Sequence, residues 1–152
     1  MALPNIFSKE VTDELIQRMG KLNPVTKALW GRMSVAQMLA HCNVSYEMMY
    51  DGIHKKPNAF MKLILKAMVK NKVVNETAYK RSSQTAPQFI INDTKDFETE
   101  KKRLSDYLIQ TQELGETYFD NRESHSFGAL NKTEWNNMLY KHLNHHLTQF
   151  GV

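Results

Sequence analysis

With 152 residues, 41% of them apolar, the chain has the length of one domain and enough apolar mass for a core. A single cysteine, Cys42, excludes an internal disulfide, and no run of roughly 18 apolar residues reads as a membrane span. The net charge of +4 is too small to mark a nucleic-acid-binding protein, and MALPNIFSKE shows no secretory pattern, so a cytoplasmic protein is expected.

Ser8 caps a predicted first helix that turns Val11, Leu15, Ile16 and Met19 inward and stops around Gly20. Ser34 and Gln37 have the spacing of a capping box, so a second helix starts at Val35 and runs to about Asp51–Gly52. Its apolar arc is Val35, Met38, Leu39, Cys42, Tyr46 and Met49, and Glu47 falls outside that arc as a solvated residue. His54 to Pro57 reads as a turn before one short helix, NAFMKLILKAMVK, with Lys62, Lys66 and Lys70 along one side. Lys72 to Asn92 has no helical period and reads as a long surface connection, with Val73–Val74 and Phe89 to Ile91 as short extended pieces. Asp93 or Thr94 caps a third long helix that ends at Leu114 and Gly115, and Glu116 to Leu130 reads as a loop. Asn131 or Thr133 then caps the last helix. Four long helices, one short one and little strand signal predict an all-α four-helix bundle occupying residues 1–152 as a single domain.

The last helix, WNNMLYKHLNHHLTQFG, organises the rest. At about 100° per residue, His142 and His146 share the face of Trp135 and Leu139, which should look inward. Asn137, Lys141, Asn144 and Thr148 collect on the far, polar side. Histidines four apart on a helix have Cβ atoms roughly 5–6 Å apart, near enough for one cation to bridge. A third imidazole comes from the second helix, where His41 stands at the edge of the apolar arc, flanked by Gln37 and Ser45. Three neutral imidazoles can hold a divalent ion and leave a coordination position open. Zinc and nickel lead the candidates, and cobalt and iron also accept imidazole.

At these residues the chain resembles the DinB-like superfamily of four-helix-bundle metalloproteins. HLNHHLTQFG is similar to the superfamily's H-x-x-H-H-x-x-Q ending, and LWGRMSVAQMLAHCNVSYEM to its second helix, with one histidine seven positions beyond a serine cap. HSFGAL, Glu134–Trp135 and HHLTQFG together resemble a branch of it with no assigned reaction. The resemblance runs from about Leu29 to Val152 and implies an up-down-down-up bundle, a metal on His41, His142 and His146, and a homodimer. It also implies chemistry on a small-molecule substrate, with a low-molecular-weight thiol as co-substrate in S-transferase relatives. His125 falls where related sequences read H-P-x-F-G, with Ser126 in place of the proline.

Around the triad, Gln149 can orient a histidine or hold contacts between helices, and His145 can be an outer donor, a substitute ligand or a partly exposed residue. Trp135 reads as core in preference to a substrate platform, and Cys42 as a buried, inert thiol. No carboxylate is placed for general acid–base work. From Lys55 to Arg81 there are eight basic residues against one acid, Glu76, which reads as a solvated face, an acidic-membrane contact or a phosphate contact. A non-catalytic dimeric module, with a structural metal or none, is the alternative to a metal-dependent transferase or hydrolase.

Overall fold

Local capping sets where the helices begin. In the computed structural model, which describes residues 2–152, Ser8 accepts from the backbone N–H of Val11 and opens α1, Lys9–Gly20. Ser34 and Gln37 close a reciprocal capping box ahead of α2, Val35–Tyr50, and Asn131 and Glu134 do the same for the last helix, Lys132–Gln149. Between them lie α3 (Ala59–Met68), α4 (Lys70–Val74), a 3₁₀ turn at Pro87–Phe89 and α5 (Phe97–Phe119); Lys132–Gln149 is α6. The chain is mostly helical, as expected.

Four of these helices, α1, α2, α5 and α6, share one core. Leu15, Met19, Met38, Leu39, Leu104 and Leu108 are wholly shielded from solvent, with Phe119 and Leu147 among the same cluster. The α2–α5 seam is the most extensive of the packings. Burying each such side chain contributes roughly 1.5–3 kcal/mol, which makes this core the dominant stabilising element.

Several expectations are corrected. The third long helix is capped by Asp96, whose carboxylate accepts from Thr99 N–H at 2.8 Å, because the side chains of Asp93 and Thr94 lie too far upstream to reach the first turn. Gly115 does break the helix, at φ 73° and ψ 168°, but a further turn reforms as far as Phe119. That turn is held by Phe119 stacking on Phe7 and meeting the edge of Trp135. The expected loop also contains a hairpin, β1 (Arg122–Ser124) paired antiparallel with β2 (Gly128–Leu130), Arg122 opposite Leu130. Ser124 Oγ closes it by accepting from Phe127 N–H and donating to Gly128 C=O. Val73–Val74 are helical, in α4, and Phe89 ends a 3₁₀ turn, with extended backbone only from Ile90.

Two predicted solvent-facing groups are interior. Glu47 is only 8% exposed, because α5 supplies Arg103, which pairs with both Glu47 and Glu100, and His54 Nε2 lies 2.7 Å from the other Glu47 oxygen. Asn137 and Lys141, on the polar side of α6, are covered by α4. Asn137 donates to Val74 C=O, and the Lys141 ammonium donates to Lys72 C=O, Asn75 C=O and Asn75 Oδ1 at 2.7–2.9 Å. The four-carbon stem reaches the carbonyls that α4 leaves unpaired at its C-terminus, so this lysine is a helix cap.

Candidate metal centre

His41 comes from the middle of α2 and His142 and His146 from the last turns of α6. Their ligand nitrogens all lie within 4.8 Å of one another. His41 and His146 are 4% and 8% exposed, and His142 is half-buried. The ring centroids of His41 and His146 are 4.5 Å apart, and those of His142 and His146 4.9 Å. The Phe89 ring leans on both His41 and His142 and covers the cluster.

The outer nitrogen of each ring has an oxygen partner, and two of those partners fix the proton. His41 Nδ1 lies 2.7 Å from Phe89 C=O, which can only accept, so this nitrogen carries the hydrogen. Gln149 Nε2 donates to Trp30 C=O at 2.8 Å, which turns its Oε1 toward His146 Nδ1, also at 2.8 Å, and makes that nitrogen a donor too. His142 Nδ1 faces Ser45 Oγ at 3.2 Å, and a hydroxyl serves as donor or acceptor. The inner nitrogens of His41 and His146 are therefore bare lone pairs directed at the cluster's centre. This is the outer arrangement that orients histidine ligands around a metal.

Electrostatics agree with the geometry. Burial lowers the pKa of His41, His142 and His146, with His146 brought down to about 3; repulsion among the imidazoles adds to it, and the Gln149 bond opposes it for His146. Metal ligation requires neutral imidazole, which this pocket enforces. Three neutral donors, two of them with fixed outer protons, fit one divalent ion.

The remaining sequence candidates separate. Ser45 and Gln149 touch triad histidines as described. Gln37 does not: its Oε1 closes the capping box, and its Nε2 donates to Asp93 C=O. Trp135 is core, 2% exposed, and donates to Arg122 C=O. His125 sits on the hairpin, with Ser126 Oγ at 2.8 Å and His54 C=O at 3.2 Å, so the H-S-F-G segment shapes the turn. His145 is half-buried between the rings of Trp30 and Tyr79 and meets the edge of His146. Cys42 points into the core against Met38, and burial raises its thiol pKa far above the usual range.

The sequence reading missed Phe89, Trp30, Tyr79 and Arg81, all from connections without a periodic signal. The Arg81 guanidinium stacks 4.3 Å above the Trp30 ring. Gly31 was missed too. It has φ +85°, and a Cβ there would meet Gln149 Nε2 at 2.6 Å, so only glycine lets the Trp30 carbonyl receive that amide. A family model described as "Protein of unknown function (DUF1569)" matches residues 8–151, which include the triad. No curated protein and no solved structure matches the chain.

Proposed function

The chain belongs to the DUF1569 family, and we propose that it is a divalent-metal enzyme acting on a small molecule, with the metal on His41, His142 and His146. The observation that carries this reading is the set of outer bonds. Fixed protons on His41 and His146 leave their inner lone pairs converging with His142 in a pocket that resists protonation. A divalent ion held by these residues would supply Lewis acidity, lowering the pKa of a water or thiol bound to it.

The chain's own residues do the remaining work. Phe89 limits water at the cluster, while Trp30, Tyr79 and His145 form an aromatic wall beside it. Arg81, over the Trp30 ring, offers a cation to an anionic group of the substrate. A thiol-dependent S-transferase suits this combination, and the packing of α1, α2, α5 and α6 suits a DinB-like up-down-down-up bundle. The order and spacing of the HLNHHLTQFG and SVAQMLAH motifs support both.

The first test is elemental analysis of untagged protein beside His146→Ala. About one zinc, nickel or similar ion per chain, absent from the variant, supports the site, and a screen with small thiols then probes turnover. Equal metal in both proteins, or none in either after soaking and dialysis, sinks it. The Phe89 ring against His41 and His142 and the lack of any carboxylate in the three-histidine group favour a second reading, a structural metal in a non-catalytic dimeric module. Metal-dependent turnover of any thiol substrate would eliminate that alternative.

A further inference from the structure

Helix α3 is amphipathic but carries most of its apolar side outward. Lys62 pairs with Glu123 of β1, and of the helix's apolar residues only Ile64 and Leu65 are partly covered. Phe60, Leu63 and Met68 are 71%, 65% and 71% exposed, Ile53 just upstream is 67% exposed, and no residue of the helix is buried. A helix packed for its own domain does the reverse, placing the apolar stripe on the core. A contiguous exposed apolar face of this kind marks a surface that something else covers.

The surrounding charge decides what covers it. The Lys62 bond holds the Glu123 carboxyl below the usual range, with Lys56 and Lys66 adding to it, so one carboxylate faces three ammonium groups. Lys55, next to Lys56 in the chain, is exposed as well. Two copies meeting through α3 would set this basic patch against a second basic patch, since a two-fold interface pairs a patch with itself. Like charges facing one another in this way disfavour self-pairing. A surface carrying many phosphates and carboxylates is complementary to both the apolar face and its basic border.

We propose that α3 docks on an anionic lipid bilayer, laying Phe60, Leu63 and Met68 among the acyl chains while Lys55, Lys56 and Lys66 meet the headgroups. This places the chain on a membrane surface without crossing it; no helix among the described residues is long and apolar enough to span one. The docking face is separate from the histidine cluster and does not depend on metal.

The test is co-sedimentation with vesicles of phosphatidylcholine containing about one-third phosphatidylserine, against pure phosphatidylcholine, at low and high salt. The intact protein should partition onto the anionic vesicles at least tenfold better, and high salt should reduce this severalfold. Phe60→Glu/Leu63→Glu, on largely exposed positions, should abolish binding, Lys56→Glu/Lys66→Glu should weaken it at least tenfold, and His146→Ala should leave it unchanged. No binding to anionic vesicles at low salt overturns the proposal, as does equal binding to neutral ones. A dimer in sedimentation equilibrium that Phe60→Glu/Leu63→Glu splits, without vesicle binding, assigns the face to a second copy instead.

Discussion

His41 of α2 and His142 of α6 bring their Nε2 atoms to 2.9 Å across the helix interface. Two imidazole nitrogens at that distance share either a proton or a cation. His41 has its hydrogen on Nδ1, so in the metal-free protein the shared proton belongs to His142 Nε2, and the Ser45 hydroxyl donates to His142 Nδ1. A cation reverses this: His142 must move its proton to Nδ1, where Ser45 Oγ accepts it. Long-range ¹⁵N–¹H spectra should show His142 changing tautomer on zinc addition while His41 and His146 keep theirs. An unchanged His142 tautomer in zinc-loaded protein would refute the assignment.

The path Trp30–Gln149–His146 makes metal affinity sensitive to a residue that touches no ligand. Gly31→Ala pushes a Cβ into Gln149 Nε2 and strains a backbone at φ +85°. It should weaken zinc binding by about 10–100-fold, and Gln149→Leu should do the same, the usual range for loss of an outer partner. Competition titration with a chromophoric chelator measures both, with circular dichroism to confirm retained helix. Wild-type affinity in Gln149→Leu would remove the amide from the site.

Acid should destabilise the metal-free protein through the triad. The unfolded histidines titrate near about 6.5, whereas His146 in the fold titrates at about 3 and the pKa values of His41 and His142 are also lowered. Between those values the unfolded chain binds more protons, so stability is full above about pH 6.5 and falls as pH drops below it. For His146 alone the loss is about 2 kcal/mol at pH 5. Thermal melts in chelator from pH 8 to pH 5 should show this slope, and it should flatten in His146→Gln. Equal slopes in the two proteins would disprove the burial argument.

Removing Arg103 leaves Glu47 and Glu100 buried without their cation. The guanidinium is itself about one-third exposed, so water moderates the penalty. Arg103→Ala should cost about 2 kcal/mol, or roughly 4–8 °C in Tm, whereas Lys102→Ala, one residue away in an exposed ion pair, should cost less than about 0.5 kcal/mol. Differential scanning calorimetry of the two variants compares them directly. Equal melting temperatures would return Glu47 to the solvated role its helix position predicts.

Much of this protein is written locally. Ser8, Ser34 and Asn131 announce three helix starts through bonds that span three residues, and the apolar period tells α2 and α6 which face to bury. His41, His142 and His146 were legible because that period sets all three on or beside inward faces. The hairpin was not: each of its strands is three residues long, too short to express a two-residue alternation, and tertiary contact holds it. Nor could periodicity find the partners of polar groups. Glu47, Asn137 and Lys141 look solvated on their own helices and become interior only because Arg103, Val74 and Asn75 arrive from elsewhere in the chain. The outer bonds of the triad divide in the same way. Gln149 is three residues from His146 and its position could be read, whereas Phe89 and Trp30 reach the site from aperiodic connections 48 and 119 residues from the groups they meet. Capping and amphipathicity act within a turn or two of chain, so the sequence alone determined most of the long helices and which three histidines face one another. Which carbonyls and hydroxyls fix the protons on those donors depends on how distant segments pack, and only the tertiary structure decided it.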